Sequence, residues 1–384
     1  MRTIVFSAAA ALAACAASEN APRIDPATWE AALGTTIEDE WQGGEHRAFD
    51  FWIGEWQANW RPQAEGSLQH ADEGTHTRHF VFPILGGKAL VELAEQRGAA
   101  EGSPSGRGFS IRYFDPARER WVMAQHWPGP KFDGIAFADQ LVGFERHGRM
   151  QMYSVDTRKR EDGGRDHRRY NFSDVADGRF RWDGSNTRDV GKSWTTWQVV
   201  EFDRMAPIPP LGAAGAALPF VYKELLCQDK PHGALDGLEG VWEGVVATST
   251  GSAPARFSAG RLLDGCAIAG VFARDGHREF AAWSYSPSFG LWTQLRLDDR
   301  PGTTHRYLVS EAAEPGAEFV EAQDLAIRDD MTAFLDPANF DTAAGLRRTV
   351  FREFAGTRLV IAEEARDAPE DAWSEIAVYS LTRR

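Results

Sequence analysis

The chain repeats itself. His167-Arg168-Arg169-Tyr170-Asn171-Phe172 aligns with Leu346-Arg347-Arg348-Thr349-Val350-Phe351 at an offset of 179 residues. The same offset pairs Arg179 with Arg358, Trp194 with Trp373, Val199 with Val378 and Arg204 with Arg383. Phe109, Phe114-x-Pro116 and Trp121 match Phe280, Tyr285-x-Pro287 and Trp292 at 171, and Gly54-Glu55-Trp56 matches Gly240-Val241-Trp242 at 186. Anchors that keep their order, with offsets drifting only where loops would differ in length, mean two copies of one domain. The boundaries follow as residues 48–204 and 236–384, joined by a linker at 205–235 whose Pro207-Ile208-Pro209-Pro210 is semi-rigid and whose Gly212-Ala213-Ala214-Gly215 is flexible. Residues 16–47 read as a tether with a short helix over Pro26 to Leu33, N-capped by Asp25.

Each copy reads as β. Trp52, Gly54, Trp56, Ala58 and Trp60 alternate with Ile53, Glu55, Gln57 and Asn59, a period of two that places the tryptophans on one face. Phe109–Phe114, Asp115–Arg118 and Arg120–Met123 read as strand, turn and strand. Further short runs, separated by Gly, Asp and Asn, bring the count to about 8–10 per copy, which suits a closed antiparallel barrel without edges. The expected fold is all-β, two tandem antiparallel β-barrels. Barrels of this size are filled by side chains or hold one small ligand.

Gly54-x-Trp56 and Gly240-x-Trp242 open the copies, and Arg204 and Arg383 close them. That resembles the lipocalin or calycin arrangement, in which a late basic residue packs over the indole of the first strand. Phe49-Asp50-Phe51-Trp52-Ile53-Gly54-Glu55-Trp56 resembles, more specifically, the opening of bacterial calycin-like domains of unassigned function, related in fold to nitrobindin. The resemblance implies a ten-stranded barrel and carries no catalytic residues to this chain. Nitrobindin-like barrels hold haem through a late histidine; the late strands here, Trp194–Arg204 and Trp373–Arg383, contain none, which argues against haem.

Met1-Arg2-Thr3 followed by the apolar run Ile4–Ala14 reads as a secretion signal. Leu12-Ala13-Ala14-Cys15 resembles a bacterial lipobox, which makes residues 1–15 a lipoprotein signal with Cys15 the lipidated residue; cleavage after Ala16 as an ordinary signal is the alternative. The expected location is the bacterial cell envelope, on the outer membrane facing the periplasm. In that compartment Cys227 and Cys266 are free to close a 38-residue loop, although spacing alone leaves the bridge open. With Lys+Arg 42 against Asp+Glu 56 and a net charge of −14, nucleic acid is excluded as a partner.

No Gly-x-Ser-x-Gly, phosphate loop, dinucleotide fingerprint or Cys-x-x-Cys is present. His70, His76 and His79, spaced six and three apart, read as solvated loop histidines and not as metal ligands, and Glu363-Glu364 as a solvated pair. His126 is the best candidate for acid–base work, although strand parity turns it away from Trp121, Gln125 and Trp127. The adjacent pairs Arg168-Arg169 and Arg347-Arg348 each place one guanidinium toward the barrel interior, where it requires a buried carboxylate or an anionic ligand. At matched positions one strand offers Trp121, Met123, Gln125 and Trp127 in copy one but Trp292, Gln294, Arg296 and Asp298 in copy two, a solvated or plugged face. The expected function is therefore binding, in copy one, of a small, largely apolar molecule with a possible acidic end. Its contacts would be Trp56, Trp60, Met123, Gln125, Trp127 and Arg168, with neither metal nor cofactor and with a membrane partner only through lipid. The alternatives are a cofactor-free isomerase or cyclase using His126, or an interaction protein with filled barrels; the balance is against an enzyme.

Overall fold

The computed structural model describes residues 24–64, 67–68, 76–97, 108–116, 119–126, 139–154, 158–159, 165–189, 191–206, 231–286, 290–303, 305–311, 313–321, 347–368 and 370–384. Cys15, His70, Trp127, Cys227 and linker positions 207–230 lie outside the described residues.

The first copy contains β1 (Gly54–Ala64), β2 (Ser67–Leu68), β3 (His76–Ile84), β4 (Ala89–Arg97), β5 (Gly108–Asp115) and β6 (Arg120–His126). It continues through β7 (Asp139–Arg146), β8 (Arg149–Ser154), β9 (Arg158–Lys159), β10 (Arg165–Ala176), β11 (Arg179–Thr187) and β12 (Thr195–Ala206). Every pairing is antiparallel, β12 returns to β1, and β10–β11 closes the ring, so ten strands form the barrel while two-residue β2 and β9 sit beside it. The second barrel is a plain up-and-down closure of β13 (Gly240–Thr248), β14 (Gly251–Leu262), β15 (Ala267–Arg274), β16 (His277–Ser286) and β17 (Leu291–Asp298) with five more strands. These are β18 (Arg306–Ser310), β19 (Glu318–Glu321), β20 (Arg347–Ala355), β21 (Arg358–Ala365) and β22 (Ser374–Arg383).

The paired motifs at the chain ends of each copy explain how the barrels close. Gly54 has φ +148 and Gly240 φ +130, backbone that side-chain-bearing residues rarely adopt, so the glycine of Gly-x-Trp is required to turn the chain into the barrel. Two residues on, the Trp56 indole donates to the Trp52 carbonyl at 2.7 Å, and that of Trp242 to the Leu238 carbonyl at 2.8 Å. Arg204 covers Trp56 and Arg383 covers Trp242, and each guanidinium also donates to carbonyls of the segment leading into its barrel. Both closed ends are thus the same device.

Three cores hold the molecule. Each barrel has one inside, around Trp56 and Phe202 in the first and around Trp242 and Phe351 in the second. The third lies between the barrels, where outer faces of β3–β6 meet β14–β18 through Phe82, Val91, Phe109, Leu263, Val271 and Phe280. Phe109 and Phe280, equivalent residues of the two copies, stack with centroids 6.4 Å apart. The helix at the N-terminal side, α1 (Pro26–Leu33), is capped by Asp25 as the sequence suggests and ends at Gly34 with φ +66. From Ile24 onward the segment is more than a tether: Ile24, Trp29 and Leu33 are buried in the inter-barrel core.

Candidate functional site

The first barrel is filled unevenly along its axis. Toward the closed end, Phe49 and Trp52 enter beneath the strands and pack with Phe172, Phe180, Phe202 and Trp121, leaving an all-aromatic floor. Trp56 belongs to this floor, fully buried under Arg204.

Farther along β1 the interior changes character. Trp60 lies 6.4 Å from Trp182, and Trp182 packs edge-on against Tyr170 at 5.0 Å and Trp197 at 5.7 Å. Gly184 permits this crowding: a Cβ there would meet the Trp197 ring at 2.5 Å. The Tyr170 hydroxyl accepts from Gln125 Nε2 at 3.1 Å and from Arg168 Nη1 at 3.5 Å. Met123, Met150 and Met152 supply apolar, adaptable wall between these polar groups and the floor. The structure therefore brings Trp60, Met123, Gln125 and Arg168 to one interior. His126 is the last residue of β6, paired in register with Phe109, and its side chain is outside the described ones.

A buried polar cluster missed in the sequence lies on the other wall. His79 is not a solvated loop residue: it sits on β3, 1% exposed. Its Nε2 is 2.8 Å from the Thr77 hydroxyl, and its Nδ1 is 2.6 Å from the Glu92 carboxylate. Glu92 also accepts from Ser110 at 2.7 Å and from the Arg112 guanidinium. Arg112 in turn stacks 3.8 Å over the Trp52 ring, tying the cluster to the floor. Burial pushes the Glu92 carboxyl up, but Arg112, His79 and Ser110 outweigh it and hold the group at about 2, so Glu92 is an anion. The Trp60 indole donates to Thr77, linking this cluster to the tryptophan wall.

The sequence hid His79 and Glu92 because β3 and β4 bury both faces. Phe82, Val91 and Leu93 point outward into the core shared with the second barrel, so neither strand shows the alternation of a half-exposed strand. Once the pairing of Trp56 with His79 is known, the Thr77-x-His79 face is recognisable.

Among its described residues the second barrel carries neither cluster. In register, Trp242 pairs with Phe257 where Trp56 pairs with His79, and Gly270 takes the place of Glu92. Its interior is instead crossed by ion pairs. Arg296, 1% exposed, binds Glu279, Glu363 and the Thr349 hydroxyl. Of the two alternatives for this face, solvated or plugged, the structure shows the plugged one, because β16 and β21 supply the carboxylates of Arg296. One expectation is corrected, since Glu363 and Glu364 are both buried, Glu363 inside with Arg296 and Glu364 outside with Arg348 and Arg352. Although burial opposes it, the Arg296 and Arg274 charges hold the Glu363 carboxyl below its ordinary range. Beside Arg296, Gln294 is fully buried with neither amide end hydrogen-bonded, a local cost of about 1–3 kcal/mol.

The arginine pairs also resolve. Arg168 faces inward, whereas Arg169 lies outside, 4.3 Å over Trp194. Its counterpart Arg348 lies 4.5 Å over Trp373, and Arg347 is exposed. The shared feature of the two copies is the outer guanidinium–indole stack, not an inward charge. Cys266 is half-buried and disulfide-bonded. Among the described residues no group of three His, Cys, Asp or Glu is placed to hold a metal ion, and no helix is long and apolar enough to cross a membrane.

No protein-family profile matches the chain, and no curated protein does. Among solved structures it is similar to a protein of unknown function from the DUF3598 family of Nostoc punctiforme PCC 73102, at 10% identity. The alignment covers 89% of this chain and 100% of that one with a TM-score of 0.23, which carries no argument about function. The architecture stands on the geometry alone: two ten-stranded antiparallel barrels in tandem, as a calycin-like pair requires.

Proposed function

We propose that the first barrel binds one small, largely apolar molecule with an acidic end, and that the second barrel is structural. The observation that carries this reading is the contrast between two interiors built on one closed end. Beyond the floor, the first offers indoles, methionines and two convergent polar groups, Gln125 and Arg168, the composition of a small-molecule site. At the matched level of the second, Arg296 and its carboxylates occupy the space. Trp60 and Met123 form the apolar wall in this reading, Gln125 and Arg168 meet the polar end, and Trp56 is floor.

The chain is further proposed to be exported and held in the bacterial envelope by lipid on Cys15; Cys15→Ser should then release it from membranes. The binding test is a hydrophobic fluorescent probe titrated into the full chain. One probe per chain, lost on Trp60→Ala with the fold intact by circular dichroism, is expected. Binding that ignores Trp60 would contradict the site.

A further inference from the structure

The geometry points to an acyl-transfer capability in the first barrel: Thr77, His79 and Glu92 form a nucleophile–base–orienter relay aimed at an ester group of the bound molecule. The inference rests on the binding reading above and adds a reaction to it.

Three observations carry it. The first is spacing: hydroxyl to imidazole 2.8 Å and imidazole to carboxylate 2.6 Å, the reach required of an activated hydroxyl, its base and the group that orients the base. The second is direction. Glu92, an anion, can only accept, so the Nδ1 proton points at it, and the relay uses the tautomer in which Nε2 accepts from Thr77. The Trp60 indole can only donate, so the Thr77 oxygen accepts there and its own proton is free for Nε2. Every polarity in the chain thus runs the way proton abstraction from Thr77 needs. The third is location. Trp60, which binds Thr77, is also a wall of the candidate ligand site, whereas the second barrel has Ala255, Phe257 and Gly270 at the three positions and no relay at all.

The chemistry balances with water alone. Thr77 Oγ attacks the ester carbonyl carbon, its proton passes to His79 Nε2, and the carbonyl π pair moves to oxygen. Collapse breaks the bond to the leaving alkoxy group, which takes the proton from Nε2 and departs as an alcohol, leaving acyl-Thr77. Water then adds to the acyl carbon with its proton going to Nε2; the second collapse returns that proton to Thr77 and frees a carboxylic acid. Nothing is oxidised or reduced. Glu92 stays ionised throughout and stabilises the transient imidazolium.

The test uses the full chain, a medium-chain p-nitrophenyl ester, an alkyl fluorophosphonate that labels activated hydroxyls, and an unreactive alkyl probe. Wild type and Thr77→Ser should turn over the ester and carry the label at position 77. Thr77→Val and His79→Phe should lose about 100-fold or more of the turnover while still binding the unreactive probe. Thr77→Val is nearly isosteric and keeps the test valid if His79→Phe does not fold. Wild type that binds the probe yet neither labels at Thr77 nor exceeds Thr77→Val in turnover overturns the inference and leaves binding standing. Wild type that does not bind the probe overturns the binding reading, and the inference with it.

Discussion

The guanidinium of Arg204 lies 4.8 Å from the centre of the Trp56 indole, 148 positions earlier in the chain. The second barrel repeats the contact between Arg383 and Trp242 at 4.3 Å. A cation over an indole contributes about 0.5–2 kcal/mol, and contacting residues are non-additive. A double-mutant cycle on Trp56→Phe and Arg204→Met should therefore give a coupling of ~0.5 kcal/mol or more in urea unfolding, and the Trp242–Arg383 cycle the same. Additive costs in both would mean that the stacks do not close the barrels.

Acid should weaken the first barrel through Glu92. Its carboxyl is held at about 2 against 4.5 for the ordinary group. Because the folded value is the lower one, the contribution is full above 4.5 and disappears as the pH falls toward 2. The shift corresponds to about 3 kcal/mol. Glu92→Gln should be clearly less stable near neutral pH, and its deficit against wild type should shrink as the pH drops through this window. A deficit that does not change with pH would show that Glu92 carries no charge in the folded barrel.

The two barrels should remain together after the chain between them is cut. Lys88 reaches across from the turn after β3 and donates to the carbonyls of Asp298, Arg300 and Thr303 at 2.7, 2.6 and 3.2 Å, and to the Thr303 hydroxyl at 2.6 Å. With the apolar core around Phe109 and Phe280, this contact makes the pair one unit. Limited proteolysis should nick first between Met205 and Pro231, yet the two fragments should co-elute on native gel filtration. Separation of the fragments would contradict a shared core. Lys88→Ala, which removes a charged donor shared by three carbonyls, should cost roughly 2–3 kcal/mol.

Much of this architecture is legible in the sequence because it depends on local, repeated signals. Gly54 and Gly240 mark the turns into the barrels, the tryptophans two residues on mark the inward face, and Arg204 and Arg383 repeat at a fixed offset. The shared face of Met123 and Gln125 likewise follows from a single strand. What stays hidden needs a second barrel to be known. Phe82 and Val91 are apolar because the other copy covers them, and so they mask the polar face carrying Thr77, His79 and Glu92. Glu363 looks solvated because its partner, Arg296, lies on a strand distant in the chain.

Cys266 is disulfide-bonded, and Cys227 is the partner expected. A peptide map without reductant should contain one linked species joining both. Closing a 38-residue loop restricts the unfolded chain by roughly 4 kcal/mol, so Cys227→Ser should lower stability by an amount of that order. Alkylation of Cys227 in the native, unreduced protein would exclude the pairing.

The most direct test of the central claim, that the first barrel and not the second holds the ligand, is calorimetric titration of a long-chain carboxylate and the matching alcohol. The full chain should take up one molecule of each. Arg168→Ala should weaken the carboxylate about tenfold or more and the alcohol far less, because a desolvated charge-assisted bond is worth more than a neutral one. Gln294→Leu, inside the second barrel, should change neither. Equal loss for acid and alcohol on Arg168→Ala, or a loss confined to Gln294→Leu, would contradict the account.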